Sequence, residues 1–437
     1  MARILIAAWP FAGHINPCLA LAIELQRRGH EVAFYTGRSA ERSLVGQGLA
    51  LFPFTAVDEA AVHRTVFSPV STDWTNPSRL LAVLRAWLLD TLPGQVLDLE
   101  RILDRWSPDA VLSDVSLWAP GLVLAEKRGF DLGICSFALG CMIPGPEAPP
   151  WGIGLPPGRT PWHRMVNRAI GWLADRQASG LRDQTNRLRR QYGLAPLTEP
   201  VHAHLGRVAL YLVPSIHELD YGRRDLPASV HYVGPLTRVS PDPADRPEWL
   251  SEASGPGPLV HVCEGTLHAQ DPFLLRAAAL GLSDRPCRVI MTTGPHRRPS
   301  ELGLESFGAN IRIEQWVPHD SLLPLTDLVI TTGGAGTTLS ALKAGIPLIL
   351  TPTEWDKFDN AQRVVEAGAG IRLAPRRCSP RNLRRAVDRV LGEATFGAQV
   401  RRLAKRLIEP GGAARAAELV EQHLVRDKRS HHDDSYP

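Results

Sequence analysis

The sequence LVITTGGAGTTLSALKAG, residues 328–345, contains the pattern that decides the fold of its half of the chain. An apolar run is followed by a glycine-rich turn, and Leu339 and Leu342 then repeat at helical spacing. In such a strand–turn–helix unit, the first N–H groups of the helix point outward and the positive end of its dipole attracts anions. We therefore predict a phosphate or diphosphate site at this turn, although such glycines also permit close packing of the helix on the strand.

The same alternation of strands and helices extends through the rest of the chain. At the N-terminus, a strand, a turn, a helix and a second strand predict a βαβ unit over residues 3–8, 9–17, 18–28 and 31–35. Further strands are predicted at residues 109–112, 132–137, 259–263, 288–292, 311–314, 328–331 and 347–350. Residues 140–162, rich in proline and glycine, are predicted to form a long loop followed by helices. The pattern predicts an α/β protein with two doubly wound domains that face a cleft.

A segment rich in proline and glycine separates the two halves. We predict an N-terminal domain at residues 1–236, a linker at 237–258 and a C-terminal domain at 259–411. An amphipathic helix at 412–425 is expected to pack back on the N-terminal domain, and residues 426–437 form a polar tail.

Composition excludes several classes of function. The net charge of +4 over 437 residues is too small to indicate a nucleic-acid partner. The six cysteines are scattered, without the spacing of a metal site, which favours free thiols in a reducing, cytoplasmic compartment. No stretch of about 18 apolar residues indicates a membrane span. A dinucleotide dehydrogenase is disfavoured, because no GxGxxG motif follows the first strand.

Residues on both sides of the glycine turn have side chains suited to nucleotide and sugar recognition. Trp316 can stack on a base, and Asp356 can accept hydrogen bonds from sugar hydroxyls. Taken singly, a core tryptophan and a solvated Asp356–Lys357 pair would be the commoner interpretation. Their joint spacing around the turn favours binding.

This joint pattern resembles the family-1 nucleotide-sugar glycosyltransferases, which have the GT-B fold of two facing Rossmann-like domains. The matching motifs are Trp316-x-Pro318, the glycine turn 333–337, Gly345-Ile346-Pro347, Pro352, Asp356 and Asn360-Ala361, together with segments 232–236 and 260–266. Residues 13–17 resemble the branch that glycosylates antibiotics and macrolides. The resemblance implies an inverting hexosyltransferase that uses a UDP- or TDP-type sugar and a small, hydrophobic natural-product acceptor. It also implies no metal or cofactor, and we expect a monomer or weak homodimer.

The resemblance assigns roles to individual residues. His14 matches the general base, and Asp114 matches the carboxylate that orients it, although Asp114 could instead cap the following helix. The residues expected to bind the donor are Gly265, Thr266, Trp316, Val317, His319, Thr332, Gly333, Gly334, Ala335, Gly336, Thr337, Asp356 and Lys357. Those expected to line the acceptor pocket are Trp9, Phe11, Trp74, Trp118 and Trp151. Two further tryptophans in helical stretches, Trp87 and Trp172, are predicted to lie in the core.

Four positions depart from the family pattern on the donor side. Thr332 replaces a histidine, Ser340 a glutamate and Lys357 a glutamine, and Glu264 stands where a neutral residue is usual. One hypothesis is an altered donor, with Lys357 favouring a sugar that carries a carboxylate. Alternatives are a catalytically impaired helper or sugar-nucleotide-binding protein, and a nucleotide-sugar epimerase of the same fold.

Overall fold

Two parallel β-sheets, one in each half of the chain, organise the structure. The structure is a computed structural model that describes residues 1–66, 82–177, 179–199, 201–237, 247–251, 255–266, 271–294, 297–303 and 307–425. Helices cover both faces of each sheet, so the strands are buried runs of aliphatic residues. The predicted α/β class with two doubly wound domains is confirmed.

The N-terminal sheet contains seven strands. They are β1 (Arg3–Ala7), β2 (Glu31–Thr36), β3 (Ala50–Pro53), β4 (Ala110–Asp114), β5 (Leu132–Cys135), β6 (Leu210–Val213) and β7 (Val230–Tyr232). Their order across the sheet is β3-β2-β1-β4-β5-β6-β7, and all pairs are parallel. The strand order reverses between β1 and β4, whose carboxyl ends meet where Ala7 pairs with Ser113. Residues that follow these two strands therefore lie together at the usual ligand site of such sheets.

Among the described residues of this half, the α-helices with defined bounds are α1 (Ala12–Arg27), α2 (Glu41–Val45), α3 (Glu59–Val66), α4 (Leu92–Trp106), α5 (Trp118–Arg128), α6 (Pro161–Gln177) and α7 (Ser179–Gln191), and a short π-helix spans Arg85–Leu89. No helix or strand occurs between residues 136 and 160, as predicted for the loop rich in proline and glycine. We call residues 136–160 the proline-rich loop.

The C-terminal sheet contains six parallel strands in the order β10-β9-β8-β11-β12-β13. The strands are β8 (Leu259–Cys263), β9 (Arg288–Thr292), β10 (Ile311–Glu314), β11 (Leu328–Thr331), β12 (Leu348–Leu350) and β13 (Gly370–Arg372). The helices are α8 (Phe273–Leu282), α9 (His319–Leu322), α10 (Ala335–Lys343), α11 (Lys357–Glu366), α12 (Pro380–Gly392), α13 (Ala394–Ile408) and α14 (Ala413–His423). Strands β8 to β11 coincide with the predicted ranges.

The start of helix α1 differs from the prediction. A start at residue 18 was expected because proline disrupts helix interiors, yet α1 begins at Ala12 and contains Pro17. The helix forms because the backbone N–H groups of His14 and Ile15 both donate to the carbonyl of Phe11, at 2.9 Å each. His14 consequently lies in the first helical turn, held by the helix, and not in a free turn before it.

The chain ends by returning to the N-terminal domain. Helix α14 contributes Leu419 and Val420 to the same buried cluster as Leu19 of α1. On the surface beside them, the Glu421 carboxylate accepts a hydrogen bond from Arg28 at 3.0 Å.

A second set of contacts joins helix α11 to the proline-rich loop. The buried Asp359 carboxylate accepts the backbone N–H groups of Gly152 and Gly154, at 2.6 and 2.7 Å. Arg372 donates to the Gly154 carbonyl at 2.8 Å. We call these four residues the latch, because Asp359 of α11 and Arg372 of β13 connect one domain to the loop of the other.

Candidate active site

A cleft of about 1770 Å³ lies between the two domains, at the carboxyl ends of both sheets. Its N-terminal wall includes His14 and Phe137, and its C-terminal wall includes the glycine turn and Trp316. The cleft is therefore large enough for two substrates, and each domain contributes one side.

His14 and Asp114 meet where β1 and β4 end. The His14 Nδ1 atom lies 3.1 Å from Asp114 Oδ2, and both side chains are buried. His14 also lines the cleft. A carboxylate that accepts the Nδ1 proton leaves Nε2 as the basic nitrogen of a neutral imidazole.

Asp114 also organises the backbone around it. Its Oδ2 atom accepts the N–H of Trp9 at 2.7 Å, while Oδ1 accepts those of Ser116 and Leu117 at 2.5 and 3.1 Å. The carboxylate thus caps the turn that leads into α5 and contacts His14 at the same time. Both contacts expected from the sequence, with His14 and with the start of the next helix, are present.

Aromatic rings surround His14. Its ring centroid lies 4.2 Å from that of Phe137, 5.7 Å from that of Trp87 and 5.8 Å from that of Phe11. Trp87 in turn packs edge-on against Trp355 of the other domain, at 5.6 Å. Trp87 was predicted to lie in the core; it is buried, but it also lines the cleft.

The sequence prediction missed Phe137 and Trp355. Phe137 follows the carboxyl end of β5, which is the one signal that could have identified it. Trp355 directly precedes Asp356 and has a φ of 54°, a left-handed conformation that is rare for a residue other than glycine.

The glycine turn places a helix N-terminus at the cleft. Gly333 has a φ of 93°, which only glycine adopts without strain, and Gly334 is the N-cap of α10. Gly334, Gly336 and Thr337 line the cleft, as does Ala335. The first N–H groups of a helix have no partner within the helix, so this surface can bind an anion.

Trp316 lines the same cleft, after the end of β10, with 60% of its surface exposed. Its ring stacks on His319 at 6.4 Å with an interplanar angle of 15°. Burial lowers the pKa of His319, so this imidazole is neutral near pH 7. The exposed face of Trp316 is therefore available to a flat ring in the cleft that the glycine turn also lines. Gly265 and Thr266 line the same side, whereas Val317 is buried in the core.

Asp356 also lines the cleft, at the start of α11. Its Oδ2 atom accepts a hydrogen bond from Asn360 at 2.8 Å, and burial raises the pKa of its carboxyl group. Asn360 additionally donates to the Gly333 carbonyl at 2.9 Å. The side-chain amide of Asn360 therefore connects Asp356 to the glycine turn.

Two of the departures from the family pattern have local structural roles. The Thr332 hydroxyl donates to the Glu264 carbonyl at 2.8 Å, so it connects the ends of β8 and β11 and does not line the cleft. The Glu264 carboxylate accepts the Leu274 N–H at 2.9 Å and pairs with Arg297 at 3.1 Å. The predicted contact of Thr332 with phosphate is thus not supported by the geometry. Ser340, in contrast, lines the cleft.

Lys357 lines the cleft, but its charge is already compensated. The side chain is 5% exposed, and its ammonium group forms an ion pair with the buried Glu354 carboxylate and a 3.2 Å hydrogen bond to Thr353. This pairing argues against the hypothesis that Lys357 selects a sugar bearing a carboxylate.

Replacing Lys357 by methionine should destabilise the protein by about 3–5 kcal/mol, because Glu354 would remain buried without its cation. The double variant Lys357→Met/Glu354→Gln should recover most of that loss. Urea denaturation of the single and double variants measures both effects. An unchanged free energy of unfolding in the single variant would show that the ion pair is absent and that Lys357 is free for a ligand.

The predicted acceptor residues are only partly brought together. Phe11, Trp118 and Trp151 line the cleft. Trp9 does not: its ring is fully buried behind Phe11 and Trp87, and it contributes only its backbone N–H, to Asp114. Trp74 lies outside the described residues.

Trp172 was expected to lie in the core, and this prediction is wrong. It is 61% exposed, on helix α6.

Within the described part of the chain, no group of histidine, cysteine and acidic side chains could hold a metal ion. Among the same residues, no helix is long and apolar enough to cross a membrane.

Comparison with known proteins identifies the family. Residues 287–422 match the family of the erythromycin biosynthesis protein CIII-like C-terminal domain. The chain is 31% identical over 423 residues to 4'-demethylrebeccamycin synthase of Lentzea aerocolonigenes, covering 96% of this chain and 99% of that protein.

Solved structures show the same fold. The glycosyltransferase of kitacinnamycin superposes with a TM-score of 0.76 at 22% identity, over 97% of this chain and 99% of that one. The spinosyn rhamnosyltransferase SpnG complexed with thymidine diphosphate superposes with a TM-score of 0.67 at 22% identity, over 96% and 100%. The chain therefore belongs to the family-1 glycosyltransferases of GT-B fold, in the branch of antibiotic and natural-product biosynthesis, and is a glycosyltransferase.

Proposed function

We propose that this enzyme transfers a sugar from a nucleoside diphosphate to a hydroxyl group of a hydrophobic natural product, with inversion at the anomeric carbon. The observation that carries the proposal is the His14–Asp114 pair, which faces the glycine turn across one cleft. A base on one wall and an anion site on the other are the two groups that such a transfer needs.

The proposed chemistry follows from this arrangement. The acceptor hydroxyl gives its proton to His14 Nε2 as its oxygen forms a bond to the anomeric carbon. The bond from that carbon to the diphosphate breaks on the opposite face, which inverts the configuration. Asp114 holds the Nδ1 proton and stabilises the imidazolium that forms.

The leaving diphosphate needs compensation of its negative charge. We propose that the N–H groups at the start of α10 provide it, so that no metal ion is required. The nucleotide base would stack on Trp316, and Asp356 would accept hydrogen bonds from the sugar hydroxyls. TDP is the first nucleotide to test, because the SpnG structure contains thymidine diphosphate, and UDP is the second.

The acceptor wall supports a flat or hydrophobic acceptor. Phe11, Trp87, Trp118, Phe137 and Trp151 all line the N-terminal side of the cleft. Aromatic surfaces of this kind bind apolar ring systems. A nucleotide-sugar epimerase would have no use for such a wall, which favours transfer to a second substrate.

Replacing Gly334 by aspartate should abolish nucleotide binding without harming the fold. A Cβ atom at Gly334 would meet no atom within 4 Å, and the residue has φ −58° and ψ 140°, which any amino acid adopts. Aspartate is also a favourable N-cap. Its carboxylate would, however, repel the diphosphate at the helix start. Thermal shift with TDP, UDP and GDP measures the effect, since a ligand at 100 times its Kd stabilises by about 2.7 kcal/mol.

The matched control is Gly334→Asn, which has the same shape without the charge. The asparagine variant should retain more of the nucleotide-dependent shift than the aspartate variant, with a similar Tm for both in the absence of ligand. A TDP shift that is equal in wild type and Gly334→Asp would contradict the diphosphate site. No shift with any nucleotide in the wild type would favour the impaired helper over a working transferase.

A further inference from the structure

Helix α6 has two unlike faces. Asn167, Gly171 and Ala174 line the cleft. On the other side, Trp162 is 65% and Trp172 is 61% exposed, and the neighbouring Met165 and Leu173 are also exposed. The helix is therefore the single layer of structure between this part of the cleft and solvent. Large apolar side chains lie on its outer surface.

The exposed residues form one continuous stripe. At 100° per residue, Trp162, Met165, Ala169, Trp172 and Leu173 fall within an arc of about 100°. Scattered apolar residues are normal on protein surfaces, but two tryptophans in one stripe on a single helix are not scattered. Such a stripe indicates a surface that another phase or molecule covers.

The charges on the helix indicate what covers it. Arg176 lies within the stripe, with its guanidinium 5.7 Å from the centre of the Trp172 ring. Arg164 and Arg168 are also exposed, to one side of the stripe, although Arg168 lines the cleft as well and Arg164 donates to the Gly158 carbonyl at 2.9 Å. The acidic residue of α6, Asp175, pairs with Arg182 of α7 at 3.4 Å. A second copy of the same face would bring like charges together, whereas an anionic surface would be attracted.

We propose that α6 binds the surface of an anionic lipid bilayer, with Trp162, Met165, Trp172 and Leu173 inserted at the level of the headgroups. Tryptophan rings favour that interface, and an exposed arginine contributes attraction to acidic lipids. Helices of this composition lie in the plane of the membrane and do not cross it.

The opposite face of the helix lines the cleft, so contact of the outer face with a bilayer would bring the cleft close to the membrane. A helix is about 10–12 Å across, so a bilayer on the outer face of α6 lies that far from the cleft. A hydrophobic acceptor dissolved in the membrane would be concentrated at the cleft entrance. This route for the acceptor rests on the proposed function, whereas binding of the helix to lipid does not.

Cosedimentation of the full chain with vesicles tests the proposal. Vesicles of phosphatidylcholine alone are compared with vesicles that also contain phosphatidylglycerol, each at low and high salt. Binding should require the anionic lipid and weaken with salt. The double variant Trp162→Ser/Trp172→Ser should bind about tenfold less or weaker still. Brominated lipids should quench the tryptophan fluorescence of the wild type more than that of this variant.

The matched control is Leu280→Ser/Ile408→Ser, which removes two apolar side chains with 52% and 61% exposure from other helices. It should bind vesicles like the wild type. Three results would overturn the proposal. The wild type could fail to bind vesicles, the tryptophan variant could bind them as well as the wild type, or the wild type could be a dimer that the tryptophan substitutions convert to a monomer. Transfer to a water-soluble acceptor is measured alongside and should be equal in all three proteins, so failure of lipid binding and failure of the proposed function are distinguished.

Discussion

Replacing His14 by alanine should lower kcat by about 10²- to 10⁴-fold, the usual contribution of a positioned general base. Donor binding should persist, because the helix start and Trp316 lie on the other wall of the cleft. The measurements are the rate of glycoside formation and the thermal shift with the donor nucleotide. Loss of rate with an intact shift would separate the proton transfer from binding of the donor.

His30→Ala is the matched control. His30 also lies in the N-terminal domain and pairs with a carboxylate, that of Glu421 at 2.9 Å, but it does not line the cleft. Its loss should leave kcat near the wild-type value. If His14→Ala were as active as His30→Ala, the proposed base would be wrong, and the aromatic ring contacts of His14 would be its main role.

The second large effect is expected for Asp114→Asn, with kcat again reduced by about 10²- to 10⁴-fold. An amide that keeps its oxygen toward Ser116 and Leu117 turns its NH₂ group toward Trp9 and His14. That NH₂ group donates to Nδ1, so the imidazole proton moves to Nε2. The nitrogen that should take the acceptor proton is then already protonated.

A double variant distinguishes orientation of His14 from an independent role of Asp114. If Asp114 acts through the imidazole, His14→Ala/Asp114→Asn should be about as slow as His14→Ala alone. If the fold-losses in kcat of the two single variants multiplied in the double variant, Asp114 would have a role independent of His14. Because the same carboxylate holds three backbone N–H groups, the Tm of each variant is measured without ligand, and kcat is compared below the lowest Tm.

The fold could be predicted largely because its strands are buried runs. Strands β8, β9 and β11 are mainly apolar, buried segments, which is a strong local signal, whereas the edge strand β10 alternates isoleucine with charged residues. Strands β3, β6, β7 and β13 were not predicted. Three of them, β3, β7 and β13, are edge strands of three or four residues, whereas β6 is a short, buried strand inside the sheet. The start of α1 was missed because the sequence rule for Pro17 is weaker than the hydrogen bonds that Phe11 accepts.

In the candidate site, too, features formed by residues close in sequence could be predicted, whereas contacts between distant residues could not. The glycine turn is a continuous motif, and His14 was identified by resemblance to a family motif. The contact of Trp87 with Trp355 joins opposite halves of the chain, so no spacing rule could indicate it. One local contact is an exception. Glu354 lies before α11, and Trp355, with a φ of 54°, separates it from the helix, so helical spacing could not have predicted its ion pair with Lys357.

The latch has a thermodynamic consequence. Helix α11 begins with Asp356 and Lys357 at the donor side, and a short distance along it Asp359 holds Gly152 and Gly154 of the loop that carries Trp151. A ligand that displaces the start of this helix must also displace that loop or break the two hydrogen bonds. Binding in the two halves of the cleft would then be thermodynamically linked. If a ligand at the start of α11 changes the affinity for a ligand at the loop by some factor, the ligand at the loop changes the affinity for the other ligand by the same factor.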